Sequence, residues 1–274
     1  MIVVTGATGN VGRPLVRELL AAGEQVTAVS RRSPRDNPAG LRHHQADLAA
    51  PQTLKPALEG AEALFLLTSG DFVAQGGNLD DVLEVVRAGG VRRVVLLSSQ
   101  GVATGDHPTE LEDAVRRSGL EWTMLRPGGF HSNALQWAGA VRAERTVAAP
   151  FGDVALPTVD PEDIAQVAAV ALRDPSHAGR IHELTGPAPI SPRQQTAAIA
   201  DAVGEPVRFV EQTRGEARAE MVRFMPEPIA DATLDILGNP SPGLRRVSPD
   251  IERVLGRPPR AFADWAARNA SVFR

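Results

Sequence analysis

The first twelve residues constrain the fold more than any other part of the chain. The apolar run Ile2–Thr5 leads directly into glycines at positions 6, 9 and 12, and an amphipathic pattern follows over residues 11–22. This order predicts a strand, a tight turn and a helix. Gly6 lets the chain leave the strand sharply, and Gly12 lets the helix pack closely against a sheet. The pattern is typical of the first strand–turn–helix of a parallel sheet.

Short apolar runs alternate with helical patterns through the first two-thirds of the chain. We predict strands at Ile2–Thr5, 25–30, Leu41–Gln45, 63–68, 93–98 and 122–126. We predict helices at 11–22, 53–59, 78–88, 110–118 and 164–172. Thr109 and Glu112 have the spacing of a capping box at the start of the fourth helix. Parallel strands joined by crossover helices make an α/β fold, here a doubly wound Rossmann sheet.

Beyond Arg180 prolines become frequent and the alternation becomes irregular. We predict strands at 181–184 and 207–210 and helices at Pro192–Val203, 214–224 and 229–237. Two domains are therefore expected. The first is a Rossmann domain over residues 1–150, whose sheet also takes the strand at 181–184. The second is a smaller α+β lobe over residues 151–274, which we expect to bind substrate.

Composition excludes several classes of function. The net charge is −4 and no long basic run occurs, so we do not expect nucleic-acid binding by bulk electrostatics. The chain has no cysteine, and its Asp, Glu and His residues show no metal-ligand spacing, so neither disulfides nor a metal are expected. The longest apolar runs are too short to span a bilayer, and the first residues lack the pattern of a signal peptide. We expect a cytoplasmic protein that does not bind a membrane.

The glycine turn also has the features of a phosphate-binding loop. Gly9 leaves room for backbone to approach a pyrophosphate, and the N–H groups of the first helical turn face its negative charge. Thr8 and Asn10 are placed to add side-chain hydrogen bonds. A tight turn without a ligand is the alternative, but a second strand follows at the distance typical of dinucleotide-binding folds. The predicted cofactor-binding residues of this loop are Gly6, Thr8, Gly9, Asn10, Val11 and Gly12.

The end of the second strand indicates which dinucleotide is bound. Ser30 stands where an NAD-selective site places a carboxylate for the ribose 2′-hydroxyl, and Arg31 and Arg32 follow it. Guanidinium groups pair with a 2′-phosphate, so we expect NADP(H) in preference to NAD(H), although the arginines also fit a solvated basic loop. Asp47, followed by Leu48, either accepts from the adenine amino group or caps the next helix.

Several stretches resemble the NmrA-like branch of the short-chain dehydrogenase superfamily, which includes NAD(P)H-dependent quinone reductases and redox-sensing proteins. The matching stretches are residues 5–12, 29–32, 46–48, 96–99, 118–130, 159–165 and 183–187, with Phe130 and Asn133 in the most specific part. The resemblance implies a Rossmann sheet with a small carboxyl-terminal lobe. It also implies that the nicotinamide lies near Thr68, Ser69, Ser98, Pro127 and Phe130.

One catalytic device common beside such a loop is missing. The chain has no tyrosine, and Lys55 is its only lysine, so a Tyr-x-x-x-Lys acid pair cannot form. Reduction of a ketone produces a strongly basic alkoxide that needs a positioned proton donor. Reduction of a quinone produces a phenolate, whose conjugate acid has a pKa of about 10 and which water can protonate. We therefore predict an NADPH-dependent reductase that acts on a quinone-like or other electron-poor aromatic acceptor.

Two residues are candidates for direct catalytic roles. His107 is the only strongly ionisable candidate donor between Ser98 and the following helix, although a lone loop histidine is more often a solvated or structural residue. Ser98 is expected to orient an acceptor oxygen, unless its hydroxyl only ends a buried strand. Glu112 is assigned to the capping box rather than to catalysis.

A substrate pocket is predicted from apolar residues beyond the first sheet. Met221, Phe224 and Met225 recur at helical spacing, and together with Trp137 they either line a pocket for a flat aromatic substrate or pack in a core. The predicted pocket residues are His131, Asn133, Trp137, Met221, Phe224 and Met225.

Two other functions stay open at this point. One is an NADP(H) sensor that binds a partner protein without turnover, and the other is a carbonyl reductase of an aromatic metabolite with His107 as its acid. The predicted helix at 78–88 is a candidate contact in a homodimer.

Overall fold

The computed structural model describes residues 1–31, 40–68, 70, 72 and 76–274. The chain divides into two compact units. Unit 1 consists of Met1–Pro127, Pro161–Leu184 and Asp250–Gly256, and unit 2 consists of Gly128–Asp160, Thr185–Pro249 and Arg257–Arg274. The sequence instead predicts a boundary at residue 150, with only the strand at 181–184 returning to the first domain. The difference arises because the chain returns to unit 1 twice after it has entered unit 2.

The strands, in chain order, are β1 (Ile2–Thr5), β2 (Val26–Ser30), β3 (Leu41–Gln45), β4 (Ala63–Leu66), β5 (Arg93–Leu97), β6 (Glu121–Pro127), β7 (Thr146–Pro150), β8 (Arg180–Leu184) and β9 (Arg208–Gln212). Unit 1 holds a seven-stranded sheet in the order β3-β2-β1-β4-β5-β6-β8, and each pairing is parallel. The strand order reverses at β1, which lies between β2 and β4. Doubly wound sheets bind their ligands at the carboxyl ends of the strands beside such a reversal.

The helices of the described residues, in chain order, are α1 (Gly12–Ala21), α2 (Lys55–Leu58), α3 (Leu79–Ala88), α4 (Gln100–Thr104), α5 (Glu110–Arg117), α6 (Ala138–Glu144), α7 (Pro161–Arg173), α8 (Pro192–Val203), α9 (Arg214–Met221), α10 (Glu227–Gly238), α11 (Asp250–Leu255), α12 (Phe262–Arg268) and α13 (Ala270–Phe273). Short 3₁₀ helices cover Pro51–Leu54, His131–Trp137 and Pro175–His177. In the part of the chain that the structure describes, none of the helices has both the length and the apolar character needed to cross a membrane.

Burial in unit 1 follows the position of each strand in the sheet. All residues of β1, β2 and β4 are buried, because helices cover both faces of a central parallel strand. The edge strand β3 is only partly buried. The core between the sheet and the helices includes Leu64, Leu96 and Met124. This packing fixes the strand ends from which the loops of the candidate site emerge.

Unit 2 has its own core. The strands β7 and β9 form a two-stranded parallel sheet, with Val147 opposite Phe209. Val147, Ile199 and the aromatic residues Trp265 and Phe273 pack in one apolar cluster. The ring of Trp265 meets that of Phe273 edge-on at a centroid distance of 6.2 Å. The carboxyl-terminal helices α12 and α13 therefore belong to the core of unit 2 and are not a loose tail.

The predicted Rossmann sheet is confirmed, including the strand near 181–184, and each predicted strand end lies within two residues of the observed one. The predicted helix at 164–172 extends to Pro161–Arg173, and the one at 214–224 ends at Met221. The sequence did not predict β7, α4, α6 or the helices after residue 249. β7 is short and acquires its hydrogen-bond ladder from β9, about sixty residues later, so local pattern alone does not reveal it.

The predicted capping box at Thr109 is wrong. Thr109 makes no side-chain hydrogen bond to the backbone of α5, and its Oγ1 donates instead to Oδ2 of Asp113 at 2.7 Å. Glu112 does not reach back to the helix start: the residue is 1% exposed, and its carboxylate accepts from Arg126 and Arg116 instead. Genuine capping boxes occur at Ser191, before α8, and at Thr213, before α9.

Candidate functional site

The glycine turn after β1 is a compact loop closed by its own backbone. Gly6 has a φ of 61°, a left-handed conformation that glycine adopts without steric cost. Its carbonyl oxygen accepts from the N–H of Gly9 at 2.9 Å. On the strand side, Thr5 Oγ1 accepts from the N–H of Leu67 at 2.8 Å and so links the end of β1 to the end of β4. The loop is thereby fixed at the reversal point of the sheet.

The third glycine brings the start of α1 against this loop. A Cβ atom on Gly12 would lie 2.2 Å from the carbonyl oxygen of Gly6, and one on Gly9 would lie 3.2 Å from the same atom. The positions therefore require residues without side chains. The first N–H groups of a helix have no partner within the helix and carry its positive partial charge. A cradle of bare backbone at a helix amino terminus fits the pyrophosphate of a dinucleotide.

Arg13 is a residue of this loop that the sequence reasoning missed. It lies in the first turn of α1, is exposed, and donates from Nη2 to the carbonyl oxygen of Thr8 at 2.9 Å. A cation in the first turn opposes the helix dipole, and α1 has no acidic residue there to offset it. The signal in the sequence is thus a basic residue in the first turn of a helix, where positive charge is unfavourable. An anion bound at that end of α1 would offset the repulsion between Arg13 and the helix dipole. Thr8 and Asn10 are also exposed, and Val11 is buried.

The end of β2 is organised by a serine–histidine pair. Ser30 Oγ lies 2.9 Å from Nε2 of His43 on the neighbouring β3, and the two share a hydrogen bond. Burial, and then the charge of His44, lower the pKa of His43 below its usual value, so it is neutral at pH 7. Arg31 is exposed directly after the strand, and its carbonyl oxygen accepts from Gln45 Nε2 at 3.1 Å. Arg32 lies outside the described residues.

Asp47 does not cap the helix that follows it. Its Oδ1 accepts from the N–H of Ala49 at 3.0 Å in a local turn, while the next 3₁₀ helix begins after Ala50 without a side-chain cap. The carboxylate is exposed, and Leu48 packs partly buried against the core of unit 1. Contact between Asp47 and the adenine amino group stays a prediction.

The ends of β4 and β5 carry the other predicted cofactor residues of unit 1. Thr68 is partly exposed after β4, and Ser69 lies outside the described residues. Ser98 is the first residue after β5 and is also partly exposed. Its N–H donates to the carbonyl oxygen of Leu125 at 2.8 Å, which continues the pairing of β5 with β6. Pro127, the last residue of β6, is buried.

The hydroxyl of Ser98 is bound by Glu112, which the sequence reasoning set aside. Ser98 Oγ donates to Glu112 Oε1 at 2.6 Å. Arg126 donates to both carboxylate oxygens, at 2.8 and 2.7 Å, and Arg116 donates to Oε2 at 2.9 Å. Burial by itself raises the pKa of Glu112, but the hydrogen bonds from Arg126 and Ser98 and the arginine charges outweigh it, so the pKa is lowered. Glu112 is a buried anion in a polar network, not a helix cap.

His107 is tied to the helix start next to Ser98. Its Nδ1 lies 2.8 Å from Oγ of Ser99, and that hydroxyl also accepts from the N–H of Gly101 as the cap of α4. The ring packs so closely on Gly101 that a Cβ there would lie 2.7 Å from its Cγ. The residue is exposed. The contacts with Ser99 and Gly101 thus fix the orientation of the His107 ring. Because the residue stays in contact with solvent, a proton given up by the ring could be replaced from water.

Unit 2 contains a cavity of about 380 Å³. The predicted pocket residues Asn133, Trp137, Met221 and Phe224 line it, and so does Phe130, which the sequence places near the nicotinamide instead. The remaining lining is mostly apolar, with amides from Gln136, Gln195 and Gln212, the hydroxyl of Thr158 and one charged residue, Glu220. Phe224 is 70% exposed, which is unusual for a large apolar side chain with no ligand to cover it. A volume of this size suits a small aromatic molecule.

Two predicted pocket residues do not line this cavity. His131 is 1% exposed, its Nε2 lies 2.9 Å from the carbonyl oxygen of Thr158, and its ring meets Phe262 edge-on. It is therefore part of the packing of unit 2. Met225 is partly buried, and its N–H donates to the carbonyl oxygen of Met221 at 3.0 Å, but it is not one of the residues that line the cavity. Among the described residues, no group of three His, Asp or Glu side chains is arranged to hold a metal ion.

Comparisons with known proteins identify the family. The sequence model of a family described as NAD(P)H-binding matches residues 6–175. The chain is 37% identical over 283 residues to (4-alkanoyl-5-oxo-2,5-dihydrofuran-3-yl)methyl phosphate reductase of Streptomyces griseus, covering 100% of this chain and 99% of that protein. It is 33% identical over 287 residues to NAD(P)H azoreductase of Xenophilus azovorans, with 100% and 99% covered.

A solved structure shares the architecture. The NADPH-dependent quinone oxidoreductase of Escherichia coli, in complex with NADPH, is 26% identical and superposes with a TM-score of 0.80. The match covers 98% of this chain and 99% of that one. The Rossmann-like fold seen here is therefore one that binds a reduced dinucleotide in a related protein.

Proposed function

The chain belongs to the NAD(P)H-binding family, and on that premise we propose that it is an NADPH-dependent reductase of quinones, azo compounds or other electron-poor aromatic acceptors. The observation that carries this proposal is the combination of an intact dinucleotide loop with a sequence that has no tyrosine and a single lysine. The relatives support it, because they are named as an azoreductase, a quinone oxidoreductase and a reductase of an unsaturated lactone.

The loop at residues 6–12 and Arg31 are the groups proposed to hold the cofactor. The bare backbone of Gly9 and the start of α1 bind the pyrophosphate, and Arg13 adds a positive charge beside it. Arg31 pairs with the 2′-phosphate, and Ser30 avoids the repulsion that a carboxylate at its position would exert on that phosphate. These features favour NADP(H) over NAD(H).

The chemistry assigned to the acceptor follows from the acids that the chain lacks. When bound, the reduced nicotinamide supplies a hydride. An acceptor that becomes a stabilised anion needs only a weak proton donor, and water or the exposed His107 suffices for that. Orientation of the acceptor then contributes most of the rate acceleration that the protein provides.

We assign acceptor binding to the cavity of unit 2. Its apolar and aromatic lining fits a flat ring, and its amides can donate to ring oxygens or nitrogens. The only charged lining residue is Glu220, whose Oε1 accepts from Gln212 Nε2 at 2.9 Å. The described lining includes no arginine or lysine that could pair with a phosphate, so we infer a neutral or cationic acceptor. In this respect the chain is expected to differ from the phosphate-ester reductase of Streptomyces griseus.

The proposal is tested by turnover. Purified protein is mixed with NADPH and with quinones, azo compounds and simple ketones, and loss of nicotinamide absorbance is followed. Quinones or azo compounds should be reduced and simple ketones should not.

Phe224→Ala should raise the KM for the acceptor about three- to tenfold, because the aromatic wall contributes roughly 1 kcal/mol, and should leave the KM for NADPH unchanged.

Ile229→Ala is the matched control. Ile229 is a large apolar residue that is 51% exposed, and it is not among the residues that line the cavity. Ile229→Ala should leave the KM for the acceptor and the KM for NADPH unchanged. Binding of NADPH without turnover of any acceptor would contradict the proposal and favour the sensor alternative.

A further inference from the structure

A buried carboxylate determines the direction in which the Ser98 hydroxyl can hydrogen bond. Glu112 is 1% exposed, and its two oxygens accept four hydrogen bonds: from Ser98 Oγ, twice from Arg126, and from Arg116. With two guanidinium groups against it, the carboxylate is ionised. An ionised carboxylate accepts hydrogen bonds and cannot donate them.

The single hydroxyl proton of Ser98 must therefore point at Glu112. The distance of 2.6 Å is typical of a strong charge-assisted O–H···O⁻ bond. Turning the proton towards a ligand would break this bond and leave a buried anion without one of its partners. Ser98 is partly exposed, and with its proton held by Glu112 its hydroxyl oxygen can only accept a hydrogen bond from a ligand. Ser98 is consequently an acceptor, not a donor to the oxygen of a substrate.

The position of Ser98 limits which donor it can meet. It follows β5, in the half of the sheet formed by β4, β5 and β6, on the other side of the reversal point from β2 and β3. A doubly wound sheet binds one mononucleotide of a dinucleotide at each half. The adenosine half is assigned to β2 by Arg31, so the nicotinamide half belongs to the ends of β4 and β5. The nicotinamide ring has one substituent with N–H donors, its carboxamide.

We propose that Glu112 is a positioning residue that holds Ser98 Oγ as the acceptor for the carboxamide N–H of the nicotinamide. The inference rests on the proposed binding of NADP(H). It assigns the Ser98–Glu112–Arg126 network, in which Arg126 lies on the neighbouring strand β6, to cofactor orientation. The carboxamide is coplanar with the ring in its preferred conformation, so fixing it also fixes which edge of the ring the network faces.

The test compares two oxidised cofactors by calorimetry. NADP⁺ is one, and its 3-acetylpyridine analogue, in which an acetyl group replaces the carboxamide and removes the N–H donors, is the other. The wild-type protein should bind NADP⁺ about tenfold more tightly than the analogue, the factor expected for one well-formed hydrogen bond to a polarised acceptor. Ser98→Ala should bind both with nearly equal affinity. Binding is measured without an acceptor, so turnover does not enter.

Glu112→Gln should also lose most of the preference for NADP⁺. The glutamine amide can donate to Ser98 Oγ, and the serine proton, released from the carboxylate, then points at the ligand and opposes the carboxamide N–H. Asp113→Asn is the matched control: Asp113 is the adjacent carboxylate on α5, it also pairs with Arg116, and its other oxygen accepts from Thr109 Oγ1. It should keep the tenfold preference. If Glu112→Gln does not fold, Glu112→Asp retains the charge for the arginines but withdraws it from Ser98, and should lose the preference too.

The outcomes separate the two proposals. A Ser98→Ala protein that still prefers NADP⁺ tenfold would overturn the contact with the carboxamide. If Ser98→Ala loses the preference for NADP⁺ over the analogue while both Glu112 variants keep it, the positioning role of Glu112 is overturned. Equal affinity of the wild-type protein for the two cofactors would refute this inference alone, whereas no binding of either would refute the proposed function.

Discussion

The backbone of Gly12 packs so closely on Gly6 that a Cβ added to Gly12 would lie 2.2 Å from the Gly6 carbonyl oxygen. Gly12→Ala should therefore displace the loop or the start of α1, at a cost of roughly 1–3 kcal/mol or more in the free energy of unfolding. Urea denaturation measures that loss. Gly139→Ala is the control, because Gly139 lies in α6 with open space around its Cβ direction, and alanine there should be neutral or slightly stabilising. Equal stability of Gly12→Ala and wild-type protein would show that the loop is not as tight as described.

Arg31 is the residue to which we assign the choice between the two dinucleotides. Arg31→Ala should raise the KM for NADPH about tenfold and leave that for NADH nearly unchanged, since only NADPH carries the 2′-phosphate that the proposal pairs with the guanidinium. The ratio of the two KM values, measured at constant ionic strength, is the readout. Arg42→Ala serves for comparison, because Arg42 is an exposed arginine on the neighbouring strand β3. A similar rise for both cofactors in Arg31→Ala would mean that the residue does not recognise the 2′-phosphate.

Glu112 should contribute to stability in a pH-dependent way. Its pKa is lower in the folded protein than in the unfolded chain, so its contribution is complete above the unfolded value and is lost as the pH falls through the folded value. Glu112→Gln should destabilise the protein by about 3–5 kcal/mol at pH 7, because two arginines lose their buried anion. The difference from wild type should shrink on acidification below about pH 4.5, the usual range of a glutamate. Denaturant unfolding at a series of pH values measures it, and a pH-independent difference would argue against an ionised Glu112.

His107 should be dispensable for acceptors that give stabilised anions. His107→Ala removes the contact with Ser99 but leaves water as a proton source, so kcat with a quinone should change by no more than about twofold. A carbonyl acceptor, if one is reduced at all, should lose about a hundredfold or more, the usual contribution of a positioned acid. The measurement is kcat with a quinone and with a carbonyl acceptor, for the wild-type protein and for His107→Ala. A large loss of quinone reduction would make His107 the donor and revive the carbonyl-reductase alternative.

The phosphate loop and the sheet could be predicted because their determinants are local. A strand, three spaced glycines and an amphipathic helix are read from adjacent residues, and β3 was predicted with its observed bounds. Glu112 shows the limit. The spacing Thr-x-x-Glu is that of a capping box, and nothing in it reveals that Arg126, on another strand, supplies a stronger partner for the carboxylate.

The sequence predicts only some of the residues that line the cavity of unit 2. Met221 and Phe224 were grouped by helical spacing, and both line the cavity. The same spacing groups Met225 with them, and its N–H does donate to the carbonyl oxygen of Met221 at 3.0 Å, but Met225 does not line the cavity. The ring of His131 packs against Phe262 instead. Spacing along the sequence does not reveal which side chain of a group faces a cavity.

The order of synthesis has a consequence for unit 1, whose three segments are separated by segments of unit 2. When the ribosome has released the first 150 residues, β6 has emerged but its outer neighbour β8, at Arg180–Leu184, has not. For that interval the nascent sheet exposes a strand edge with unsatisfied backbone groups, a surface on which chains aggregate. A fragment cut at residue 150 should keep this exposed edge permanently and need a chaperone or a solubility partner to remain dispersed.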